Sequence, residues 1–191
     1  MKRRAIFLDR DGTINVEKKY LHRIEDFEFL PGVIEALKLF QDAGYLLIII
    51  TNQSGIGRGF YTEEDFQILN VWMIDKLKKM GIDIDKVYYC PHLPNAIIEK
   101  YRIDCKCRKP AIGLYEKAIN DFDIDMEKSF AIGDKIRDCA ICEKMNCNGY
   151  LIANNESENI IQAVQDGNYK NIAYEKDLLE CAKLIVRMYN T

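Results

Sequence analysis

Short apolar runs alternate along this chain with stretches whose apolar residues recur every three or four positions. Ala5 to Leu8 and Leu46 to Ile50 are continuous aliphatic runs, as in strands buried on both faces of a parallel sheet. Lys86 to Tyr89, Ser129 to Ile132, Tyr150 to Ala153 and Asn171 to Ala173 read as further strands. Pro31-Gly32 opens a helix with Val33, Leu37 and Phe40 on one face, and Gly44 stops it. Thr62 to Met80 carries the clearest helical pattern, with Thr62 as N-cap, acids at 63, 64 and 65, and Gly81 past its end. Phe66, Leu69, Met73, Leu77 and Met80, together with Trp72, form a stripe that reads as core packing. Ile112 to Phe122, Ile136 to Met145, Ser157 to Gln165 and Lys176 to Met188 complete the expected helices. Ile14 to Leu30 has no clean period and reads as a long loop or hairpin. Strands alternating with helices predict an α/β fold, one Rossmann-like domain over residues 1–191 with a mainly parallel central sheet.

Composition changes this picture little. With 48% hydrophobic and 30% charged residues in 191, the chain is an ordinary globular sequence of one-domain size. A net charge of -3 offers no polycationic face, so neither nucleic acid nor an anionic membrane is an expected partner. The run Tyr45 to Ile50 is too short to cross a bilayer. The basic start Met1 to Arg4 is followed by apolar residues only as far as Leu8, which argues against a secretory signal and for the cytoplasm. A monomer is the simplest expectation.

The candidate chemistry follows the strands. Asp9 and Asp11 leave the first strand one residue apart, and side chains at i and i+2 of an extended chain point the same way, their Cα atoms about 6–7 Å apart. Gly12 permits a turn and Thr13 can hydrogen-bond locally. Such a pair suits a nucleophilic Asp beside a second acid with a divalent cation between them, or else a solvated turn. Thr51 to Gly55, continuing to Gly59, offers a hydroxyl, amides, flexible backbone N–H groups and Arg58, either a cradle for phosphoryl oxygens or a polar strand-to-helix loop. It lacks the spacing of a P-loop. Arg108 and Lys109 precede Pro110; an ammonium suits one phosphate oxygen, and a guanidinium fork suits a second phosphate or a sugar hydroxyl. Asp134, at the fourth strand end, could join Asp9 around a hard cation such as Mg2+, with Asp138 holding Lys135 or water.

Seven cysteines without an export signal argue for thiols rather than a disulfide framework. Cys90-Pro91-His92, then twelve residues, then Cys105-Lys106-Cys107, is a set of three thiolates and one imidazole. Four soft ligands saturate a tetrahedral Zn2+ and leave no open position, so this site is expected to be structural. Cys139, Cys142, Cys147 and Cys181 sit among apolar residues and read as buried thiols, and His22 as a loop residue.

Taken in order, Asp9-x-Asp11-Gly12-Thr13, Thr51-Asn52, Lys109 and Gly133-Asp134 resemble the four motifs of haloacid dehalogenase-like phosphatases, from the start of the chain to about residue 150. The Cys-Pro-His and Cys-x-Cys-Arg-Lys-Pro segments are similar to those of the capless heptose bisphosphate phosphatases and the related histidinol-phosphate phosphatases. The length between them matches the former. Leu93 stands where a second His is common, and Lys18-Lys19 departs from the usual substrate loop. The resemblance implies a phosphorylated sugar as substrate. It makes Asp9 the nucleophile, forming an aspartyl-phosphate, and Asp11 the general acid and then base, starting protonated. Thr51 and Lys109 would stabilise the transferring group, Mg2+ would lie on Asp9, the Asp11 carbonyl and Asp134, and Lys135 would fix Asp9 or the phosphate. Glu17, Lys18, Lys19, Tyr20, Asn52, Gln53, Ser54 and Arg108 fall at substrate-facing positions. A rival of another class is a zinc-stabilised phosphosugar-binding module without turnover.

Overall fold

The computed structural model describes residues 2–152 and 155–189. Six strands, β1 (Ala5–Leu8), β2 (Leu46–Asn52), β3 (Lys86–Cys90), β4 (Phe130–Gly133), β5 (Asn148–Ile152) and β6 (Ile172–Glu175), form one sheet in the order β3-β2-β1-β4-β5-β6. Every pairing is parallel. The seven helices are α1 (Val33–Asp42), α2 (Ser54–Gly57), α3 (Glu63–Lys79), α4 (Gly113–Phe122), α5 (Ala140–Met145), α6 (Glu158–Gln165) and α7 (Leu178–Tyr189), counted among the described residues.

Successive side chains of a strand point to opposite faces, and β2 makes this concrete. Leu47 and Ile49 pack with Phe40 of α1 and with Ala182 and Ile185 of α7, while Leu46, Ile48 and Ile50 pack with Leu114 and Ala118 of α4. The aliphatic run is continuous because both faces of the strand are covered. A smaller cluster of Ile56, Tyr61, Phe66, Leu93, Ala96 and Tyr101 fastens the segment 91–112 onto α2 and α3.

Most expected elements form within two residues of their sequence bounds. Thr62 caps α3 through a reciprocal pair: Asp65 N–H donates to Thr62 Oγ1 at 3.1 Å, and Thr62 N–H to Asp65 Oδ2 at 2.8 Å. The core stripe ends one turn early, since Met80 is 46% exposed just past the end of α3, while Leu77 is buried. The expected helix Ile136 to Met145 is a 3-10 turn over Ile136–Cys139 followed by α5, because Asp138 turns back to accept from the Lys135 N–H at 3.0 Å. Ala153, expected to end the fifth strand, lies outside the described residues. The segment 14–30 closes as an irregular hairpin, with Val16 N–H donating to Glu28 O and Leu30 N–H to Ile14 O. Neither it nor 91–112 contains an α-helix or a strand of the sheet. No described helix is long and apolar enough to cross a membrane.

The strand order places the site. Connections from β1 lead to β2 and β3 on one side, and the chain later returns to β4 on the other. A crevice opens beyond the C-terminal ends of strands where the winding reverses. Asp9 follows β1, Thr51 and Asn52 end β2, and Asp134 follows β4.

Candidate active site

Asp9 still belongs to the sheet edge, for its N–H donates to Ile132 O of β4 at 3.1 Å. Beyond it the chain turns sharply. Gly12 has φ +86°, and a Cβ there would lie 2.2 Å from Asp134 Oδ2, so only glycine lets this loop pass against the acid. Thr13 N–H reaches Arg10 O, but its buried hydroxyl has no hydrogen-bond partner among the described residues; the local bond expected of it is made by the backbone instead.

A cavity of about 320 Å3 is lined by Asp9, Asp11, Glu17, Thr51, Asn52, Lys109, Asp134 and Lys135, joined by Arg137 and Asn155. Lys109 is a buried member of this lining. Its ammonium donates to Asp9 Oδ1 at 2.7 Å and Ile50 O at 2.5 Å, and pairs with Asp138 Oδ1 at 2.8 Å. Asp138 therefore holds Lys109, not the Lys135 side chain, whose ammonium lies 3.9 Å from Glu156. The Lys109 backbone is clasped in turn: Asn52 Nδ2 donates to Lys109 O and Lys109 N–H to Asn52 Oδ1, both at 3.1 Å. Asn52 thus fixes the lysine as well as facing the cavity.

Acids outnumber cations here, and the electrostatics record it. Burial pushes the Asp9 pKa up to about 8; Lys109 opposes this, and Asp138, Asp134 and Asp11 reinforce it. Burial and Asp138 push Asp134 up to about 6. Burial disfavours the Lys109 ammonium, but the Asp138 and Asp9 carboxylates outweigh it and raise its pKa. Carboxylate oxygens of Asp9, Asp134 and Asp138 lie within 4.8 Å of one another. Lys109 engages Asp138 and one oxygen of Asp9, and the remaining Asp9 and Asp134 oxygens fit a hard divalent cation, which would offset the excess negative charge of this cluster.

Asp11 is held apart from that cluster by donors. Arg10 Nη2 reaches both its oxygens at 2.9 Å and Arg10 Nε one of them at 3.1 Å, joined by Asn15 Nδ2 at 3.0 Å and Gln53 Nε2 at 2.9 Å. Arg10 is fully buried, over the Phe66 ring, and also meets Leu21 O and Gln53 Oε1. Gln53 is a junction: it donates to Thr51 Oγ1 at 2.9 Å and accepts from Tyr61 OH at 2.5 Å. Position beside Asp9 and Asp11 was the available signal for Arg10, but a charged residue in a polar motif reads as solvated unless its burial is known. Asn15, Tyr61 and Asn155, which donates to Asp134 Oδ2 at 2.7 Å, gave no sequence signal.

An adjoining cavity of about 430 Å3 continues outward past Glu17, Lys19, Tyr20, Gln53, Ser54 and Arg137. Lys18 does not line either cavity and pairs with Glu28 at 3.4 Å. Arg108 lines neither; its Nη1 lies 3.5 Å from His92 O. His22, expected to be a loop residue, stacks on Tyr61 with centroids 5.1 Å apart.

Cys90, His92, Cys105 and Cys107 converge. Cys107 Sγ lies 3.1 Å from Cys90 Sγ, 3.2 Å from Cys105 Sγ and 3.2 Å from His92 Nδ1; Cys90 Sγ lies 3.5 Å from Cys105 Sγ and 3.7 Å from His92 Nδ1. Ligands about a tetrahedral Zn2+ stand roughly 3.5 Å apart, so the set fits that ion. Leu93 is buried in the cluster with Phe66 and takes no part. Cys139, Cys142, Cys147 and Cys181 are all buried thiols.

The chain is similar in sequence and fold to known phosphatases. The sequence profile of the family described as Polynucleotide kinase 3 phosphatase matches residues 4–163. A Haemophilus ducreyi protein named D-glycero-beta-D-manno-heptose-1,7-bisphosphate 7-phosphatase is 48% identical over 144 residues, 75% of this chain and 79% of its own. One from Photorhabdus laumondii, named for the alpha anomer, is 47% identical over 137 residues, 72% of this chain and 75% of its own. The crystal structure of D,D-heptose 1,7-bisphosphate phosphatase from B. bronchiseptica, complexed with magnesium and phosphate, superposes with a TM-score of 0.84 at 26% identity, covering 97% of this chain and 99% of that one. Sequence profile, close relatives and fold converge: the chain belongs to the haloacid dehalogenase-like phosphatases, within the family of heptose-1,7-bisphosphate 7-phosphatases.

Proposed function

We propose that this chain hydrolyses the C7 phosphate ester of D-glycero-D-manno-heptose 1,7-bisphosphate, leaving heptose 1-phosphate, as a single-domain, monomeric cytoplasmic enzyme. The observation that carries the reading is the buried Asp9–Lys109 pair at the mouth of the β1/β4 crevice, in a chain 48% identical to a protein of that name. Asp9 attacks phosphorus and the sugar oxygen leaves, so the ester passes from sugar to Asp9. Asp11 gives the departing oxygen its proton. It then takes one from the water that cleaves the aspartyl-phosphate and restores Asp9. Lys109 and Thr51 face the equatorial oxygens of the transferring group.

Asp9, the Asp11 carbonyl and Asp134 would hold Mg2+, which when bound supplies charge neutralisation for the phosphoryl oxygens. Cys90, His92, Cys105 and Cys107 would hold Zn2+ as a structural ion. Glu17, Lys19, Tyr20, Gln53 and Ser54 bound the chamber available to the sugar. The retained Asp9, Asp11, Lys109 and Asp134 favour turnover over a binding module. Phosphate release with Mg2+ from the α and β anomers of the heptose bisphosphate, in competition with histidinol phosphate, tests the proposal. Release from the heptose substrate alone supports it; preference for histidinol phosphate, or no release from any ester, defeats it.

A further inference from the structure

The inner cavity is lined by four acids, Asp9, Asp11, Glu17 and Asp134. Of its cations, Lys109 is buried and paired with Asp9 and Asp138, and Lys135 leans toward Glu156, a surrounding that accepts a single phosphoryl group beside a metal cation and repels a second. Any second phosphate of the substrate must therefore lie in the outer chamber. Two cations line that chamber, Lys19 from the loop after β1 and Arg137 from the 3-10 turn after β4, and Arg137 lines the inner cavity as well. The Arg137 side chain is 48% exposed. Its nearest carboxylate is Asp138, 4.0 Å from Nε, and the same Asp138 oxygen is engaged at 2.8 Å by Lys109. Its neighbour Lys135 is differently placed, drawn toward Glu156. Arg137 thus stands at the junction of the two chambers with a charge that the protein itself matches only weakly, and its fork suits a phosphate dianion.

The geometry points to Arg137 as a specificity-determining residue: with Lys19 it takes the phosphate that the substrate keeps, and so selects a sugar bisphosphate over a monophosphate. This rests on the phosphatase reading above. Among the described residues the ion pair of Arg137 is with Asp138 and not with Asp9, so its contribution belongs to substrate binding and not to the chemical step.

The test compares wild type, Arg137→Gln and Arg137→Lys on heptose 1,7-bisphosphate against heptose 7-phosphate, and on fructose 1,6-bisphosphate against fructose 6-phosphate. Arg137→Gln should raise KM for the bisphosphate about tenfold, the size expected of one charge-assisted contact. Its kcat should stay within about twofold, and KM for the monophosphate should not move. The bisphosphate preference then falls about tenfold, and Arg137→Lys restores part of it. Equal losses on both substrates, an unchanged preference, or a wild-type enzyme with no preference for either bisphosphate would overturn the inference. If wild type turns over the fructose bisphosphate but not the heptose one, the heptose reading fails, and the fructose pair decides the role of Arg137.

Discussion

Lys109 donates to Asp9 at 2.7 Å across a hundred positions of sequence, and both side chains are buried. Removing the ammonium leaves Asp9 and Asp138 facing each other without compensation. Lys109→Met should lower kcat by about 10²–10³-fold, the loss typical of one preorganised donor. It should also cost about 3–5 kcal/mol of stability at pH 8, as for one partner of a buried pair. Urea unfolding should show part of that cost recovered at pH 5, where the carboxyls can protonate. Equal costs at both pH values would show that the pair is not what holds the lysine.

Asp9 gives the metal-free protein a characteristic pH dependence. Its folded pKa of about 8 lies above the ordinary 3.8, so between those values the folded state binds the extra proton. Stability therefore falls as pH rises through that window, and Asp134, raised to about 6, acts in the same direction. Asp9→Asn should abolish phosphate release, keep the fold and flatten the decline. Thermal melts of chelator-treated protein from pH 4.5 to 8.5 read the slope. Added Mg2+ should raise Tm more at pH 8 than at pH 5, because it binds the ionised carboxyls. A decline of equal slope in Asp9→Asn would assign it to other groups.

Arg10 is the side chain that fixes Asp11. A lysine keeps the charge but not the fork that spans both carboxylate oxygens. Arg10→Lys should lower kcat about tenfold or more through misplacement of Asp11, with a folded circular-dichroism spectrum. Wild-type kcat in this variant would remove Arg10 from the catalytic geometry.

The Cys and His cluster should answer to metal content rather than to turnover chemistry. Cys105→Ser is expected to lower Tm by roughly 5–10 °C, as loss of a structural metal ligand does. Elemental analysis should give one Zn2+ per chain in wild type and less in the variant. Wild-type protein free of zinc, with an unchanged melt for Cys105→Ser, would count against the structural-ion reading.

How far the sequence carries depends on the kind of residue. The β2 run was legible because a strand buried on both faces must be apolar throughout, and Thr62 because an N-cap is a local event. Asp9 and Asp134 were legible because strand ends fix where they point. Arg10 was not, since its burial is created by Leu21, Gln53 and Phe66, which come from three separate segments of the chain. Met80 misled because its spacing continues a helix that has already ended. Lys18 and Arg108 share their charge with the cavity-lining Lys19 and Lys109, and only tertiary placement turns them elsewhere.

The reciprocal bonds between Asn52 and Lys109 have a bearing on how such a chain can change over generations. They moor Lys109 to the rim of the central sheet, and the Cys105–Cys107 turn secures the backbone just before it. Whatever lies between His92 and Cys105 is anchored at both ends. Within that stretch the side chains outside the Leu93, Ala96 and Tyr101 anchors, such as the exposed Ile97 and Ile103, can change while the Asp9–Lys109 pair stays in register.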